Sequence, residues 1–268
     1  MTPSAELTLA VCPMTSIDDW SINLKSVLER LSQLPSGVRL VTFPENSLFM
    51  RLQEKEPIQA LRLDDPRLDP ISAMARQKSL WIHLGSFPVN LDGDVYNASV
   101  LVSPDGKRFS SYQKIHLFDV DIQGHRSYRE SDSVRHGKAT QTFEVDGWRV
   151  GQSICYDLRF PELYLQYAKL PVDLILVPSA FTVPTGEAHW HVLLRARGIE
   201  CQAYVAAAAQ GGRHRDKRET FGHSLVVDPW GRIIGEDQGS QETLIHTLKQ
   251  ELLQQVRRQI PMASHRRL

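Results

Sequence analysis

Three ionisable residues stand in settings that suit chemistry. Cys155 follows an apolar strand-like run, Trp148 to Ile154, and precedes Tyr156-Asp157-Leu158-Arg159-Phe160-Pro161-Glu162, where Pro161 fits the first position of a helix. A strand-to-helix turn would lift the thiol out of the sheet. Backbone N–H groups there could both lower the thiol pKa and donate to an oxyanion. Glu45 stands directly after Phe43-Pro44, where a strand stops and the chain leaves the sheet, the usual location of sites in α/β folds. A carboxylate partly desolvated at such a point can serve as a base. Lys114 lies between strand residues and the apolar Ile115 and Leu117, either snorkelling at an edge or held inside for its charge. Each residue also has a plain structural reading: a buried free cysteine, a solvated loop glutamate, a snorkelling lysine. Together, a thiol, a carboxylate and an ammonium on three strand ends form the set that a thiol-dependent amide hydrolase needs. Cys12, near the edge of the first strand, and Cys201, in an apolar helix end, take the structural reading.

The elements that must position these groups can be read from periodicity. Leu7 to Val11 predicts a buried strand, followed after Thr15-Ser16 by a helix to about Leu34 with Trp20, Leu24, Leu28 and Leu31 at helical spacing. Strands are expected at Arg39 to Phe43 and Trp81 to Phe87, separated by an irregular Pro/Asp-rich stretch to Pro70 and a helix from Ile71 to Lys78. Hairpins are expected around Ser103-Pro104-Asp105-Gly106 and Asp146-Gly147. A helix from Pro161 to Lys169, a strand from Asp173 to Val177, a helix from Glu187 to Cys201 and a strand from Tyr204 to Ala209 follow. A last hairpin turns at Asp228-Pro229-Trp230-Gly231, before a helix near Glu251 to Gln259. Alternating strands and helices with inserted hairpins predict layered α/β with a mixed sheet. No stretch reads as a linker, so residues 1–268 are expected to form one domain.

Composition sets the boundaries. A chain of 268 residues, 41% hydrophobic, can bury roughly three quarters of its unfolded surface. Thirty-one basic residues balance thirty-one acidic ones, which gives no global field to recruit nucleic acid or an anionic membrane. Three cysteines without CxxC spacing argue against a disulfide framework and a thiolate zinc site, and suit a reducing cytoplasm. The N-terminal Met1-Thr2-Pro3-Ser4-Ala5-Glu6 has neither the charge nor the apolar run of a secretory signal, and no stretch approaches the about eighteen apolar residues of a membrane span.

Phe43-Pro44-Glu45-Asn46, Tyr112-Gln113-Lys114-Ile115-His116-Leu117-Phe118 and Ile154-Cys155-Tyr156-Asp157-Leu158-Arg159-Phe160-Pro161-Glu162 resemble, in order, the Glu, Lys and Cys motifs of the nitrilase (carbon-nitrogen hydrolase) superfamily. The resemblance extends through Pro178-Ser179-Ala180-Phe181, Thr185-Gly186-Glu187-Ala188-His189-Trp190, Arg195-Ala196-Arg197 and Gly222-His223-Ser224 to Pro229-Trp230-Gly231, nearly the whole chain, and is strongest to the Nit branch. It implies a four-layer α-β-β-α sandwich, paired through the helices beside the cysteine into a homodimer, with no cofactor. It also implies a second glutamate, which falls on Glu130.

Within that branch, ω-amidases acting on α-ketoglutaramate and amidases of deaminated glutathione share these motifs. The basic run Gly211 to Arg218 resembles the latter and could hold the carboxylate of a cysteinylglycine leaving group, or be a solvated face. Glu187, where the family usually has proline after Thr-Gly, would put a carboxylate near the pocket mouth. The implied chemistry is attack by Cys155 with Lys114 and the N–H of Tyr156 on the oxyanion, Glu45 as acid and base, and Glu130 orienting Lys114 or the amide. Arg159 would fork a substrate carboxylate, unless it pairs with Asp157 or Glu162. Phe181 and Thr185 are placed beside the acyl group.

Other classes fit less well. His189, His191, His214 and His223 lack HExxH spacing, and helix positions two apart face different ways, which argues against a zinc hydrolase. Neither Gly151-Gln152-Ser153-Ile154-Cys155 nor Gly222-His223-Ser224-Leu225-Val226 completes a serine-hydrolase elbow. A silent protein-binding scaffold would have no reason to retain a thiol and partly buried charges at Glu45, Lys114 and Cys155.

Overall fold

The computed structural model describes residues 4–53, 56–121 and 127–267; residues 1–3 of the N-terminal stretch read above lie outside these. The first half of the chain folds as β1 (Glu6–Val11), α1 (Trp20–Gln33), β2 (Leu40–Thr42), α2 (Asp69–Lys78), β3 (Trp81–His83), β4 (Phe87–Leu91), β5 (Asp94–Val102) and β6 (Arg108–Gln113). A short ribbon, β7 (Asp119–Val120) with β8 (Tyr128–Arg129), follows. The second half comprises β9 (Thr142–Val145), β10 (Trp148–Gln152), α3 (Pro161–Lys169), β11 (Leu174–Leu176), α4 (Val183–Cys201) and β12 (Tyr204–Ala207). After these come the ribbon β13 (Gly211–His214) and β14 (Arg218–Phe221), then β15 (Leu225–Val227), β16 (Ile233–Glu236), β17 (Leu244–Lys249), α5 (Gln250–Gln259) and α6 (Met262–His265).

Two mixed sheets result, ordered β17-β1-β2-β3-β5-β4 with β6 on β5, and β16-β15-β12-β11-β10-β9. The two-residue side-chain period of each strand sorts its residues onto two faces. Leu9 and Val11 join Leu174, Leu176, Tyr204 and Val226 in a core between the sheets. Ala10, Val41, Ile82 and Val100 instead face α1 and α2, and Ile175, Val177 and Val205 face Tyr164, Trp190 and Leu194 of α3 and α4. Three apolar layers between four layers of elements make the expected α-β-β-α sandwich. In each sheet the central strands, β1-β2-β3 and β10-β11-β12, run parallel, and their carboxyl ends open towards one site.

Several boundaries differ from the sequence reading. The run Trp81 to Phe87 is two strands: Gly85 has φ +62°, and a Cβ there would lie 2.1 Å from the carbonyl oxygens of Phe43 and Pro44. Glycine thus lets the chain turn against the segment that carries Glu45. Asp19 caps α1 through bonds from the N–H groups of Ser21 and Ile22. The helix buries Trp20, Asn23, Val27 and Leu31, with Leu24 and Leu28 on the flank of that face. Strand β17, which pairs with all six residues of β1, has no counterpart in the sequence reading: apolar and polar residues do not alternate cleanly along it, with Ile245 outward beside Thr247 and Lys249. The basic run Gly211 to Arg218 forms most of a β-ribbon.

Candidate active site

The chain leaves β2 at Thr42, and two residues past Phe43 the Glu45 side chain is 5% exposed. Gln210, arriving from β12, holds this segment by donating from Nε2 to the Glu45 carbonyl at 2.9 Å. Lys114 extends the β6 ladder by one step: its N–H donates to Asn97 O, and its carbonyl accepts from Gly137 N–H. Its Nζ therefore points inward, 2.8 Å from Glu45 Oε1 and 2.9 Å from Glu130 Oε2. Asn97, the cross-strand neighbour on β5, donates from Nδ2 to Glu45 Oε1 at 2.9 Å and to Glu130 Oε1 at 2.8 Å. Glu130 is fixed further by the N–H of Phe118 at 2.7 Å. One ammonium and one amide thus separate two carboxylates that would otherwise repel.

Cys155 opens a short 3₁₀ helix, Cys155–Arg159, at the end of β10. Its φ is +48°, a left-handed conformation that a non-glycine residue holds at a cost of about 1–3 kcal/mol. Its N–H donates to Pro178 O at 2.9 Å. Buried Asp157 braces the turn by accepting from Ile154 N–H, the Tyr112 hydroxyl, and both the N–H and the ring of His116. It therefore ties the thiol's turn to the residues flanking Lys114. The sequence reading offered Asp157 as a partner for Arg159; instead it is committed to this brace.

The electrostatics follow from burial and neighbours. Burial works to raise the Glu45 pKa, but the Lys114 charge and hydrogen bonds from Lys114, Cys155 and Asn97 outweigh it and hold the carboxyl below its ordinary 4.5. Lys114 is also penalised by burial, yet Glu130 and Glu45 keep its ammonium well above its usual range. The Cys155 thiol is pushed up, first by burial and then by Glu45, against Lys114 and a backbone N–H at Ala180. This corrects the expectation that turn N–H groups would depress it. The resting site therefore pairs a neutral thiol with an ionised carboxylate that accepts its hydrogen bond.

The cavity over Cys155 is lined by Glu45, Lys114, Glu130, Tyr156, Arg159, Phe181 and Thr185, the residues to which the resemblance assigned catalysis and acyl binding. The Tyr156 N–H, in the first turn of the 3₁₀ helix, has no intrahelical acceptor. Arg159 has no carboxylate within ion-pair distance among the described residues; its guanidinium lies 4.6 Å from the Phe181 ring and 5.4 Å from the Tyr156 ring. Arg51, Arg129 and Arg218 also line the cavity. Of the basic run, Arg215 and Lys217 engage Asp18, and Arg218 alone reaches this wall, its guanidinium over Tyr128 at 5.6 Å. Glu187 is exposed and outside the lining. Asn97 and Gln210 are absent from the sequence reading, and Asp157 enters it with a role only as a partner for Arg159; a polar residue inside an apolar strand, Asn97 in β5, was the available signal.

The four histidines weighed for zinc do not gather at this cavity. His189 approaches Arg159 at 3.4 Å, and His214 is buried between Ser16 O and Thr220 Oγ1. His191 turns away to Glu236.

An α-β-β-α sandwich with a thiol, an ammonium and two carboxylates in one buried cavity is the arrangement of an amide-cleaving thiol hydrolase. The carbon-nitrogen hydrolase family model matches residues 8–258, and the chain belongs to that family. It is 38% identical to the deaminated glutathione amidase of Yersinia enterocolitica over 264 residues, spanning 97% of this chain and 92% of that one. The deaminated glutathione amidase of Homo sapiens is likewise 38% identical over 276 residues, 98% of this chain and 84% of that protein. The crystal structure of the Caenorhabditis elegans NitFhit protein superimposes with a TM-score of 0.89 at 33% identity, over 99% of this chain and 66% of that chain.

Proposed function

We propose that this hydrolase cleaves deaminated glutathione to α-ketoglutarate and cysteinylglycine through a thioester on Cys155. The carrying observation is that Glu45 meets both Lys114 and the Cys155 thiol in one cavity whose wall holds the carboxylate-free Arg159. Glu45 takes the thiol proton as sulfur attacks the amide carbon, while Lys114 Nζ and the Tyr156 N–H receive the oxyanion. Collapse expels the amine with the proton from Glu45, which then activates water against the thioester. Glu130 and Asn97 keep Lys114 aimed. Arg159 takes the α-keto carboxylate beside Phe181 and Thr185, and Arg218 takes the carboxylate of the leaving group. Relatives sharing 38% identity and named for this substrate support the reading.

The chain works as one domain over 1–268, because both sheets contribute to the site. Three free cysteines, all buried, suit a reducing cytoplasm, and among the described residues no helix is long and apolar enough to cross a membrane. Val192 and Ile199 on α4 and Trp230, in the turn between β15 and β16 that packs Gly231 near Ile199, are exposed, a face fit for a second copy in a homodimer.

Comparing kcat/KM for deaminated glutathione and α-ketoglutaramate tests the assignment. Higher efficiency on the former is expected. Preference for the latter makes the enzyme an ω-amidase, and release of α-ketoglutarate from neither overturns the substrate class.

A further inference from the structure

Beyond the catalytic cavity, the fold gathers a second set of donor atoms. His191 sits on α4, His223 two residues past β14, and Glu236 ends β16. His191 Nε2 lies 2.8 Å and His223 Nδ1 2.7 Å from Glu236 Oε1, and the three donor atoms fall within 4.8 Å of one another. None of the three residues lines the cavity over Cys155.

We propose that His191, His223 and Glu236 bind one divalent cation of the zinc class, separately from the amidase site. Two imidazoles and a carboxylate are a complete protein ligand set for zinc with one position left to water. Metal–ligand distances of about 2.0–2.2 Å in a tetrahedron place donors roughly 3.4 Å apart, so the present contacts at 2.8 and 2.7 Å need to open by about 0.6–0.7 Å. The side chains are 32%, 33% and 19% exposed, which leaves an entry path for the ion and a place for its water. Ligation requires each imidazole to shift its proton to the other ring nitrogen, and neither of those nitrogens is hydrogen-bonded among the described residues. Orientation is set in advance: the His223 ring stacks on Phe221 at 4.3 Å, and the His223 carbonyl accepts from Trp190 Nε1 at 2.8 Å. Trp190 packs on Phe181 at 4.9 Å, which joins this site mechanically to the wall of the catalytic cavity. The competing account is a carboxylate merely shared between two imidazole N–H groups.

The test is calorimetric titration of ZnCl₂ into the Cys155→Ser protein, which removes the catalytic thiol as a ligand. One site per chain in the micromolar range is expected. His191→Gln and Glu236→Gln in that background should each weaken it by more than about tenfold, the least that even an outer partner of a zinc ligand contributes. Carbethoxylation of His191 and His223, mapped by mass spectrometry with the site intact, should slow when zinc is present. Absence of saturable binding, equal affinity in both variants, or unprotected histidines would show a hydrogen-bonded cluster and overturn the proposal.

Discussion

Replacing Lys114 by Met tests whether the buried ammonium serves both structure and chemistry. At 2.8 Å from Glu45 and an effective dielectric of about 20, the gross attraction is about 6 kcal/mol, much of it offset by desolvation. Removing one member of such a pair leaves a buried charge unmatched and costs about 3–5 kcal/mol, a fall in Tm of roughly 10 °C. Loss of one oxyanion donor lowers kcat by about 10²–10³. The two effects separate. In Lys114→Met only the hydrogen bonds from Cys155 and Asn97 still oppose the burial that favours protonated Glu45, so its pKa rises and the acid limb of residual kcat/KM moves up. Adding Glu45→Gln removes one of the two carboxylates that Lys114 pairs, the more deeply buried one, and should recover part of the lost Tm. The measurements are steady-state kinetics from pH 4 to 9 and thermal melts of the four proteins in the cycle. Lys114→Met with kcat within tenfold of the parent, or with an unmoved acid limb, refutes the reasoning.

In the unsubstituted enzyme, Glu45 is held below its ordinary 4.5 and the thiol above its ordinary 9.0, so kcat/KM should be flat from about pH 5 to pH 9. Because the Glu45 value is depressed on folding, its contribution to stability is present above 4.5 and lost as pH falls through the folded value; an acid limb centred near neutrality would contradict the ion-pair account. Arg218→Leu should lower kcat/KM for deaminated glutathione by about ten- to a hundredfold, the worth of a hydrogen bond to a charged group, and leave α-ketoglutaramate untouched because its leaving group carries no carboxylate. Equal losses on both substrates would remove Arg218 from leaving-group recognition. Val192→Glu places a charge on a residue 68% exposed, and should convert a dimer to a monomer in sedimentation; a monomeric parent defeats the pairing through α4.

The chemistry was more legible than the boundaries. Cys155, Glu45 and Lys114 each admitted a plain structural reading alone and gained weight only as a set, through the resemblance of the motifs that carry them. Asp157 and Gln210 gained none, because their work is done across 41 and 165 residues of chain, on His116 and the Glu45 carbonyl. No periodicity encodes such contacts. The same holds for β17, whose pairing with β1 closes a sheet edge between opposite ends of the sequence. The basic run showed charge but not direction: Arg215 and Lys217 answer Asp18, while Arg218 faces the cavity. Cys12 and Cys201 were rightly read as structural thiols, burial raising the first to about 11 and the second to about 12.

A raised thiol pKa bears on how the proposed mechanism can run. Ionising Cys155 before substrate arrives would place three anions around one ammonium in a buried cavity, which burial and Glu45 both oppose. Proton transfer to Glu45 must therefore accompany attack, so that the charge leaving sulfur appears on the carbonyl oxygen, where Lys114 and the Tyr156 N–H can meet it. The donors then stabilise the transition state more than the ground state, as catalysis requires. The strained backbone at Cys155, φ +48°, fits the same proposal: it turns the chain sharply from the end of β10 into the 3₁₀ helix Cys155–Arg159, where the first N–H groups lack intrahelical acceptors and are open to an oxyanion.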